Sequence, residues 1–428
     1  MDVIVEHCAG LDVGKKQVQA CVRGPDGAGG RRSEVRTFDT FTDQLEALAG
    51  WLSAEGVTQV AMEATGPYWK PIWYVLEDAG FDLLLVNSRH VKILPGRKTD
   101  VGDAAWLAEL LEHGLLRGSF IPPDQVRKMR DVTRYRKKLI QTHTAECQRI
   151  QKNLEDAGIK LDSVASDVLG VSGRLMLRAL LAGERDPEVL AELAKGTLRK
   201  KISELQRALR GRFGEHHAML ITIILDHIEH LETSIAALDQ QLDMMFAATD
   251  DTSEVDAETG EVIAPFAQAR DHLDTITGVG KRVAETIIAE IGIDMDRFPT
   301  AGHLASWAGM CPGNNVTGGK NRSGRTTKGN MWLRDALVQA AWAAARTRDT
   351  YLSAQFWRLA RRIGKKKAAV AVGHSILVAA WHILHDNVDY QDLGADWFTR
   401  KVNNDHRRDQ AIRNLHELGY RVTLERVA

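Results

Sequence analysis

Apolar and polar residues alternate over short runs in the first third of the chain. This alternation predicts three antiparallel strands, at residues 3–12, 17–22 and 32–38, with a hairpin signal at Asp26-Gly27. The pattern then switches between helical and extended periods. It predicts helices at 40–52, 68–79 and 99–116 and strands at 57–63 and 81–86. Such an order is typical of a mixed-sheet α/β domain, which we place at residues 1–122.

The first predicted helix has a recognisable start. Thr40 is the predicted N-cap and Asp43 the acidic residue three positions later, as in a capping box. Leu45, Leu48 and Leu52 then supply an apolar stripe at helical spacing.

From about Pro123 the pattern becomes charged and helical. Two long stretches, 127–157 and 197–246, carry apolar residues at helical spacing and show no strand signal. Such stretches are typical of bundles or coiled-coil arms, so we predict a helical coiled-coil arm at 123–248 that helps to hold an oligomer together. A simple globular layer of helices is the alternative.

The rest of the chain divides by composition. Residues 250–260 (DDTSEVDAETG) are acidic and poor in apolar side chains, which predicts a linker at 249–268. A mostly α-helical C-terminal domain is expected at 269–390, followed by a C-terminal tail at 391–428. We find no internal repeat.

Composition narrows the class of protein. Hydrophobic residues make up 44% of the 428 and charged residues 26%, as in ordinary globular proteins. The N-terminus lacks the layout of a signal peptide, and no apolar run is expected to span a membrane. The four cysteines form no CxxC pair, so we expect a cytoplasmic protein without disulfides or a zinc site. The net charge of −1 hides local basic runs, which leaves nucleic acid as a partner.

Four acids of the first domain lie at the ends of predicted elements. Asp12 ends the first strand and Glu63 the fourth, while Asp100 and Asp103 begin a helix and share one of its faces. Carboxylates gathered at one point repel one another unless a cation neutralises them, and hard oxygen ligands suit Mg²⁺ or Mn²⁺. Each acid alone is also explained by a turn or by a helix N-terminus. The apolar residues before Asp12 and Glu63 favour the metal site.

Two segments of the C-terminal half combine glycine with positive charge. Residues 273–292 resemble a helix-hairpin-helix, in which a phosphate would contact Gly278, Gly280, Lys281 and Arg282. An ordinary turn between two helices is the alternative. Residues 304–334 contain no acid, and four of their cations are candidate phosphate contacts: Lys320, Arg322, Arg325 and Lys328. A further basic run at 358–367 fits a solvated helix face nearly as well as a nucleic-acid contact.

Several motifs together resemble those of the DEDD-type insertion-sequence transposases, the IS110 family. They are Asp12 in LDVGKK, Glu63 in MEATGPYW, KTDVGDA at 98–104, TGVGKRVAETIIAEIG at 277–292, and the segment from WAGMCPGN to GGKNRSGRTTKGNMWLR at 307–334. The resemblance covers both ends of the chain. It implies a RuvC-like, ribonuclease-H-type fold for the first domain, with Mg²⁺ bound by Asp12, Glu63, Asp100 and Asp103.

The resemblance also implies a nucleophile and partners. Family members attack DNA with a serine of the C-terminal domain, and they recognise target and donor DNA through a structured non-coding bridge RNA. The acidic site of one protomer works with the hydroxyl of another, in a homo-oligomer that is a dimer or, on DNA, a tetramer. Thr317 stands at the family's serine position, before Gly318-Gly319-Lys320, and Ser323 is the fallback.

We therefore predict a site-specific DNA transposase. Two alternatives remain open: a Holliday-junction-type metal-dependent endonuclease without a protein nucleophile, and a non-catalytic nucleic-acid-binding remnant. The presence of all four acids disfavours the remnant.

Overall fold

The chain folds into two compact units, Met1–Ile121 and Pro122–Ala428. A computed structural model describes residues 2–26, 29–64, 66–87, 91, 102–248, 264–312, 316–317, 320–321, 326–400 and 404–424. The predicted finer division of the second unit into arm, linker, C-terminal domain and tail stays a prediction.

The first unit contains a five-stranded mixed sheet with helices packed on it. Its strands are β1 (Cys8–Val13), β2 (Gln17–Pro25), β3 (Arg31–Asp39), β4 (Gln59–Glu63) and β5 (Asp82–Val86). Its helices are α1 (Thr42–Ala54), α2 (Trp69–Asp78) and α3 (Asp103–Glu112). The order across the sheet is β3-β2-β1-β4-β5; β1 pairs antiparallel with β2 and parallel with β4. The predicted mixed α/β domain is confirmed.

The two faces of β1 have different neighbours. Ala9, Leu11 and Val13 join the main core of the unit with residues of α1 and α2, including the predicted stripe of Leu45, Leu48 and Leu52. Burying each large apolar side chain stabilises the fold by about 1.5–3 kcal/mol. The alternate residues of β1 face α3 instead, which covers the opposite side of the strand.

Three predicted boundaries in this unit are wrong. β1 begins at Cys8 rather than at residue 3, because the N–H groups of Ile4 and Val5 bond to Glu112 O at the end of α3. The Thr40 hydroxyl donates to Lys15 O instead of capping α1, which starts at Thr42 without a side-chain cap. Helix α3 ends at Glu112, where the chain turns at Gly114 with φ +65°.

The first part of the second unit is built around two long helices. Its helices are α4 (Asp124–Asp156), α5 (Val171–Leu181), α6 (Pro187–Glu192), α7 (Ile202–Ala208) and α8 (Glu215–Ala247). Helices α4 and α8 run antiparallel, joined by the pairs Arg136–Asp239, His143–Glu232 and His227–Glu146. The C-terminal end of α4 and the first half of α8 pack with α5, α6 and α7 around an apolar core. The arm therefore also contains a globular helical layer. Coiled-coil packing stays a prediction.

The predicted continuous helical stretch at 197–246 is interrupted. The chain leaves α7 after Ala208 and re-enters a helix at Glu215. Between them, Gly211 lies so close to α4 that an added Cβ would stand 2.4 Å from Ala157 O. Such an approach requires glycine, and glycine weakens a helix. The break therefore follows from packing that helical periodicity does not reveal.

The remainder of the chain is mostly helical, as predicted. It contains α9 (Pro265–Asp274), α10 (Lys281–Ile291), α11 (Ala301–Trp307), α12 (Met331–Ala344), α13 (Tyr351–Ile363), α14 (Lys365–Asp386), α15 (Trp397–Arg400) and α16 (Asn404–Glu417). A small hairpin, β6 (Val316–Thr317) and β7 (Lys320–Asn321), was not predicted. The predicted linker lies outside the described residues as far as 263, and its last residues belong to α9, which starts with a proline.

Helix α14 is long and apolar enough to cross a membrane by length and composition, contrary to our expectation. Half of its most apolar window is buried inside the domain. Ala369, Val372, Ile376 and Leu377 are among its fully buried residues, and it packs against α12 and α13. The apolar character of α14 is therefore that of a core helix in a folded domain.

Candidate active site

Two of the predicted acids stand at the same end of adjacent parallel strands. In the register of β1 and β4, Leu11 lies opposite Met62. The next residue along each strand is an acid, Asp12 on β1 and Glu63 on β4, and both are half-buried. Adjacency of the first and fourth strands, on which the predicted convergence depends, is thus observed.

Gly10 brings the third acid to these two. A Cβ at Gly10 would lie 2.3 Å from Ala104 O and 2.4 Å from Ala108 N, both backbone atoms of α3. Only glycine therefore allows α3 to lie so close to β1. Because α3 begins at Asp103, one residue before Ala104, this close approach carries Asp103 to the strand end that bears Asp12.

The three acids interact electrostatically. Burial raises the pKa of the Asp12 carboxyl, and the charges of Asp103 and Glu63 raise it further. The oxygens of the three side chains do not all lie within 4.8 Å of one another. The fourth predicted acid, Asp100, lies outside the described residues.

This donor set fits a hard divalent cation. All three side chains offer carboxylate oxygen, the ligand type that Mg²⁺ and Mn²⁺ prefer. The charges that act on the pKa of Asp12, those of Asp103 and Glu63, are both negative. A divalent ion held by Asp12, Glu63 and Asp103 would supply the missing positive charge.

The predicted nucleophile lies in an antiparallel excursion of the second unit, which we call the ribbon (residues 309–329). At its base, Gly309 and Gly329 meet so closely that a Cβ on Gly309 would lie 2.6 Å from Gly329 N. Pro312 and Thr326 form a bridge farther along. Thr317 then pairs with Lys320 across the β6–β7 hairpin. Ser323, Arg322 and Arg325 lie outside the described residues, and Lys328 is exposed.

A buried carboxylate anchors the residue that follows the ribbon. Asn330 caps α12 through its side-chain oxygen, and its Nδ2 donates to Glu290 Oε2 at 2.6 Å. Glu290 is fully buried on α10 and accepts two further bonds from Arg134 of α4, at 2.7 and 2.8 Å. The base of the ribbon is thus tied to two helices through one carboxylate.

One of the two predicted helix-hairpin-helix glycines has a packing role. Gly278 has φ +87°, and a Cβ there would lie 2.4 Å from Ala340 O of α12, so close helix packing explains this residue. Gly280 precedes α10 with open space at its Cβ position.

The hairpin cations are paired within the chain. Lys281 Nζ lies 2.5 Å from Asp243 Oδ1, and Arg282 Nη2 lies 2.7 Å from Asp239 Oδ2, both acids of α8. Although burial acts to raise the pKa of Asp239, hydrogen bonds and charge from Arg136 and Arg282 hold it below its ordinary value. Phosphate binding by the hairpin stays a prediction.

A second group of potential metal ligands has a simpler explanation. In the described part of the chain, ligand atoms of Asp156, His216 and His217 lie within 4.8 Å of one another. Gly214 N donates to His217 Nδ1, so Nε2 carries the proton that it shares with Asp156 at 3.0 Å. No lone pair of this ring is left for a metal, and the group serves to join α4 to α8.

Sequence reasoning missed the residues that hold these sites in place. No periodic pattern or motif assigned a role to Gly10, Glu290 or Glu112, although Glu290 lies within the segment 277–292. Glu112, 1% exposed, accepts from Arg23 and Arg31, which come from β2 and β3 and tie the end of α3 to the sheet. A buried acid in an apolar helix was a usable signal here, since such a group requires a partner.

Comparisons with known proteins agree on one family. A family profile described as a transposase of the DEDD, IS110 type matches residues 9–159, and one described as the transposase IS116/IS110/IS902 family matches residues 270–358. A probable family 20 transposase of Pseudomonas aeruginosa is 25% identical over 67% of this chain and 71% of its own length. A candidate mini-circle transposase for IS117 of Streptomyces coelicolor is 30% identical over 35% of this chain and 34% of its own.

Solved structures give a weaker likeness. RuvC of Thermus thermophilus aligns over 26% of this chain and 99% of its own, with 14% identity and a TM-score of 0.21. The same enzyme in complex with a Holliday junction substrate gives a TM-score of 0.20 at 15% identity, with the same coverage.

Proposed function

Because the chain belongs to the IS116/IS110/IS902 family of transposases, we propose that it cuts and rejoins DNA with the acids of its first unit and a hydroxyl of its second. The observation that carries this proposal is the convergence of Asp12, Glu63 and Asp103, seen in the raised pKa of Asp12. The strand order β3-β2-β1-β4-β5 supports a ribonuclease-H-type assignment for the first unit.

The acids would hold the cation and the ribbon would present the nucleophile. Asp12, Glu63 and Asp103 are the proposed ligands, with Asp100 as the fourth. Bound there, Mg²⁺ or Mn²⁺ would stabilise charge on the scissile phosphate as a Lewis acid. The Thr317 oxygen would attack phosphorus and lose its proton as the new bond forms. The displaced DNA oxygen would take up a proton, and the covalent ester would conserve the energy for rejoining.

The metal assignment is tested by strand cutting. The assay incubates the full chain with a plasmid carrying its insertion sequence and with RNA transcribed from the element's flanking region. Cutting should require Mg²⁺ or Mn²⁺ and stop in chelator. Asp12→Asn and Glu63→Gln should abolish it, whereas Glu46→Gln, an exposed acid of α1, should not. Full activity of both site variants would refute the assignment.

The nucleophile is tested by the covalent adduct on a denaturing gel. Thr317→Ala should eliminate the protein–DNA adduct. Thr317→Ser should keep it and speed its formation, because serine lacks the methyl group that crowds the attacking oxygen of threonine. Ser323→Ala should slow it at most modestly. An adduct lost only in Ser323→Ala would assign the attack to Ser323. Cutting without any adduct would favour a Holliday-junction-type endonuclease that uses water.

Guidance by a structured RNA rests on the family resemblance and on the exposed cations of the second unit. A filter-binding assay would compare RNA from the element's flanking region with scrambled RNA of equal length. We expect tighter binding of the flanking RNA at physiological salt. Equal affinity would contradict a guide, since charge alone binds both alike.

A further inference from the structure

The turns at both ends of α13 carry a run of positive charge that the proposed function does not use. Residues 346–367 contain one acid, Asp349, and eight cations: Arg346, Arg348, Arg358, Arg361, Arg362, Lys365, Lys366 and Lys367. The whole chain has a net charge of −1, so this segment stands far above its surroundings in positive charge.

All eight cations are exposed, and within the described residues none forms an ion pair with an acid. Other cations of the second unit behave differently. Arg134 binds Glu290, Arg136 binds Glu285, and Lys281 binds Asp243. The chain therefore neutralises many of its cations internally and leaves this group for solvent or for a partner.

One indole joins the two turns into a single surface. Trp357 Nε1 donates to Ala345 O at 3.0 Å, at the turn before α13. Lys365 Nζ, at the turn after α13, lies 5.5 Å from the centre of the same ring. On the other side of α13, Leu352 and Phe356 are buried in the domain. The cations therefore belong to a helix, and to the turns at its ends, that is packed into the domain.

The electrostatics of a helix N-terminus disfavour the three lysines that follow α13. Lys365, Lys366 and Lys367 form the first turn of α14, and no side chain caps that end. The N-terminus of a helix carries partial positive charge, so cations there are unfavourable for folding. A bound polyanion would reverse this effect, because both the lysines and the free N–H groups of the first turn would then face negative charge.

We propose that seven of these cations, which we call the basic patch (Arg346, Arg348, Arg361, Arg362 and Lys365–Lys367), bind the phosphodiester backbone of nucleic acid. The eighth, Arg358, lies over the ring of Phe398 at 4.2 Å. The partner class rests on the proposed function, but the contact itself does not depend on cleavage. The spread of the charges over the segments at both ends of α13 suits a chain of phosphates rather than a single small anion. Duplex DNA and structured RNA share this chemistry, and the test distinguishes them.

The experiment measures binding of the full chain by fluorescence anisotropy over a range of salt concentrations. The probes are a mixed-sequence DNA duplex and a stem-loop RNA with equal numbers of phosphates, in chelator so that no cutting occurs. The test variant is Lys365→Gln/Lys366→Gln/Lys367→Gln. The matched control, Lys152→Gln/Lys195→Gln/Lys200→Gln, removes the same charge from exposed positions of the arm.

The test variant should bind at least one probe about ten-fold or more weakly at 0.1 M salt. The slope of log affinity against log salt should fall by about two to three, since each lost phosphate contact removes about 0.7–0.9. Loss on one probe alone would identify that nucleic acid as the partner. Lys365→Arg/Lys366→Arg/Lys367→Arg should bind like the wild type.

The melting temperature separates a binding role from a structural one. Removing the lysines from the first turn of α14 should leave stability unchanged or raise it slightly, while binding falls. Affinity and salt slope equal to those of the control on both probes would overturn the proposal. Loss of binding in the arginine variant would also overturn it, because charge is retained there.

Discussion

The carboxyl of Asp12 is half-buried at the end of a central strand and faces two further acids. Burial and like charge both favour its protonated form, so the folded protein holds this proton more tightly than the unfolded chain does. The resulting stabilisation is fully present at acid pH and is lost as pH rises through the raised pKa. At neutral pH the ionised group therefore destabilises the metal-free protein.

Asp12→Asn should raise the melting temperature by a few degrees at neutral pH in chelator, because the buried negative charge is gone. The difference should shrink toward acid pH, where Asp12 is neutral as well. Thermal denaturation of the full chain measures both effects, and Glu46→Gln should show neither. A variant less stable than the wild type at neutral pH would contradict the prediction.

A bound divalent metal should reverse the order of stability of the wild type and Asp12→Asn. Mn²⁺ at a hundred-fold excess over its Kd should stabilise the wild type by about 2.7 kcal/mol, and it should stabilise Asp12→Asn far less.

Strand β1 and helix α3 meet at this site because Gly10 has no side chain. The apolar residues before Asp12 and Glu63 indicated that these two acids have a role, since burying an ionised group is costly unless it has a partner. The approach of α3 to β1 could not be predicted, because contact between a helix and a strand leaves no period in the sequence. The two-residue strands β6 and β7 are likewise too short to show alternation.

Gly10→Ala should destabilise the first unit by about 1–3 kcal/mol, since the new Cβ overlaps the backbone of α3 and the helix must move. Asp103 should move with it, so stabilisation by Mn²⁺ should weaken. The control is Gly50→Ala on α1, where a Cβ meets nothing within 4 Å. That change should be neutral or stabilise by up to about 1 kcal/mol. Equal melting temperatures and equal Mn²⁺ responses in the two variants would argue against the packing role.

At the scale of the whole molecule, average charge and periodicity describe the chain poorly. A net charge of −1 conceals the basic patch, and helical periodicity in the arm does not reveal its break at Gly211. Strand signals predicted the strands of the sheet but not their order across it. The pairing of α4 with α8 depends on ion pairs between residues about a hundred positions apart, which no local pattern shows.

We predict that the arm holds copies of the chain together. Helix α8 exposes Met219, Leu220 and Ile223, with 59%, 41% and 60% of their surfaces accessible, and a second copy would cover them. Leu220→Lys/Ile223→Lys should shift the mass measured by light scattering toward the monomer. Ala237→Lys/Gln240→Lys adds equal charge to exposed positions of the same helix and should not. A wild type that is strictly monomeric, with and without nucleic acid, would refute the prediction.

Gly309 and Gly329 meet backbone to backbone, so the ribbon leaves the domain and returns to it at nearly the same point. In evolutionary terms such a segment can be exchanged as a unit. Its length and sequence can change while the helices before and after it stay in position, because the closure at its base does not depend on what lies between. Under the proposed mechanism, transplanting the ribbon of a relative would exchange the attacking hydroxyl without rebuilding the domain.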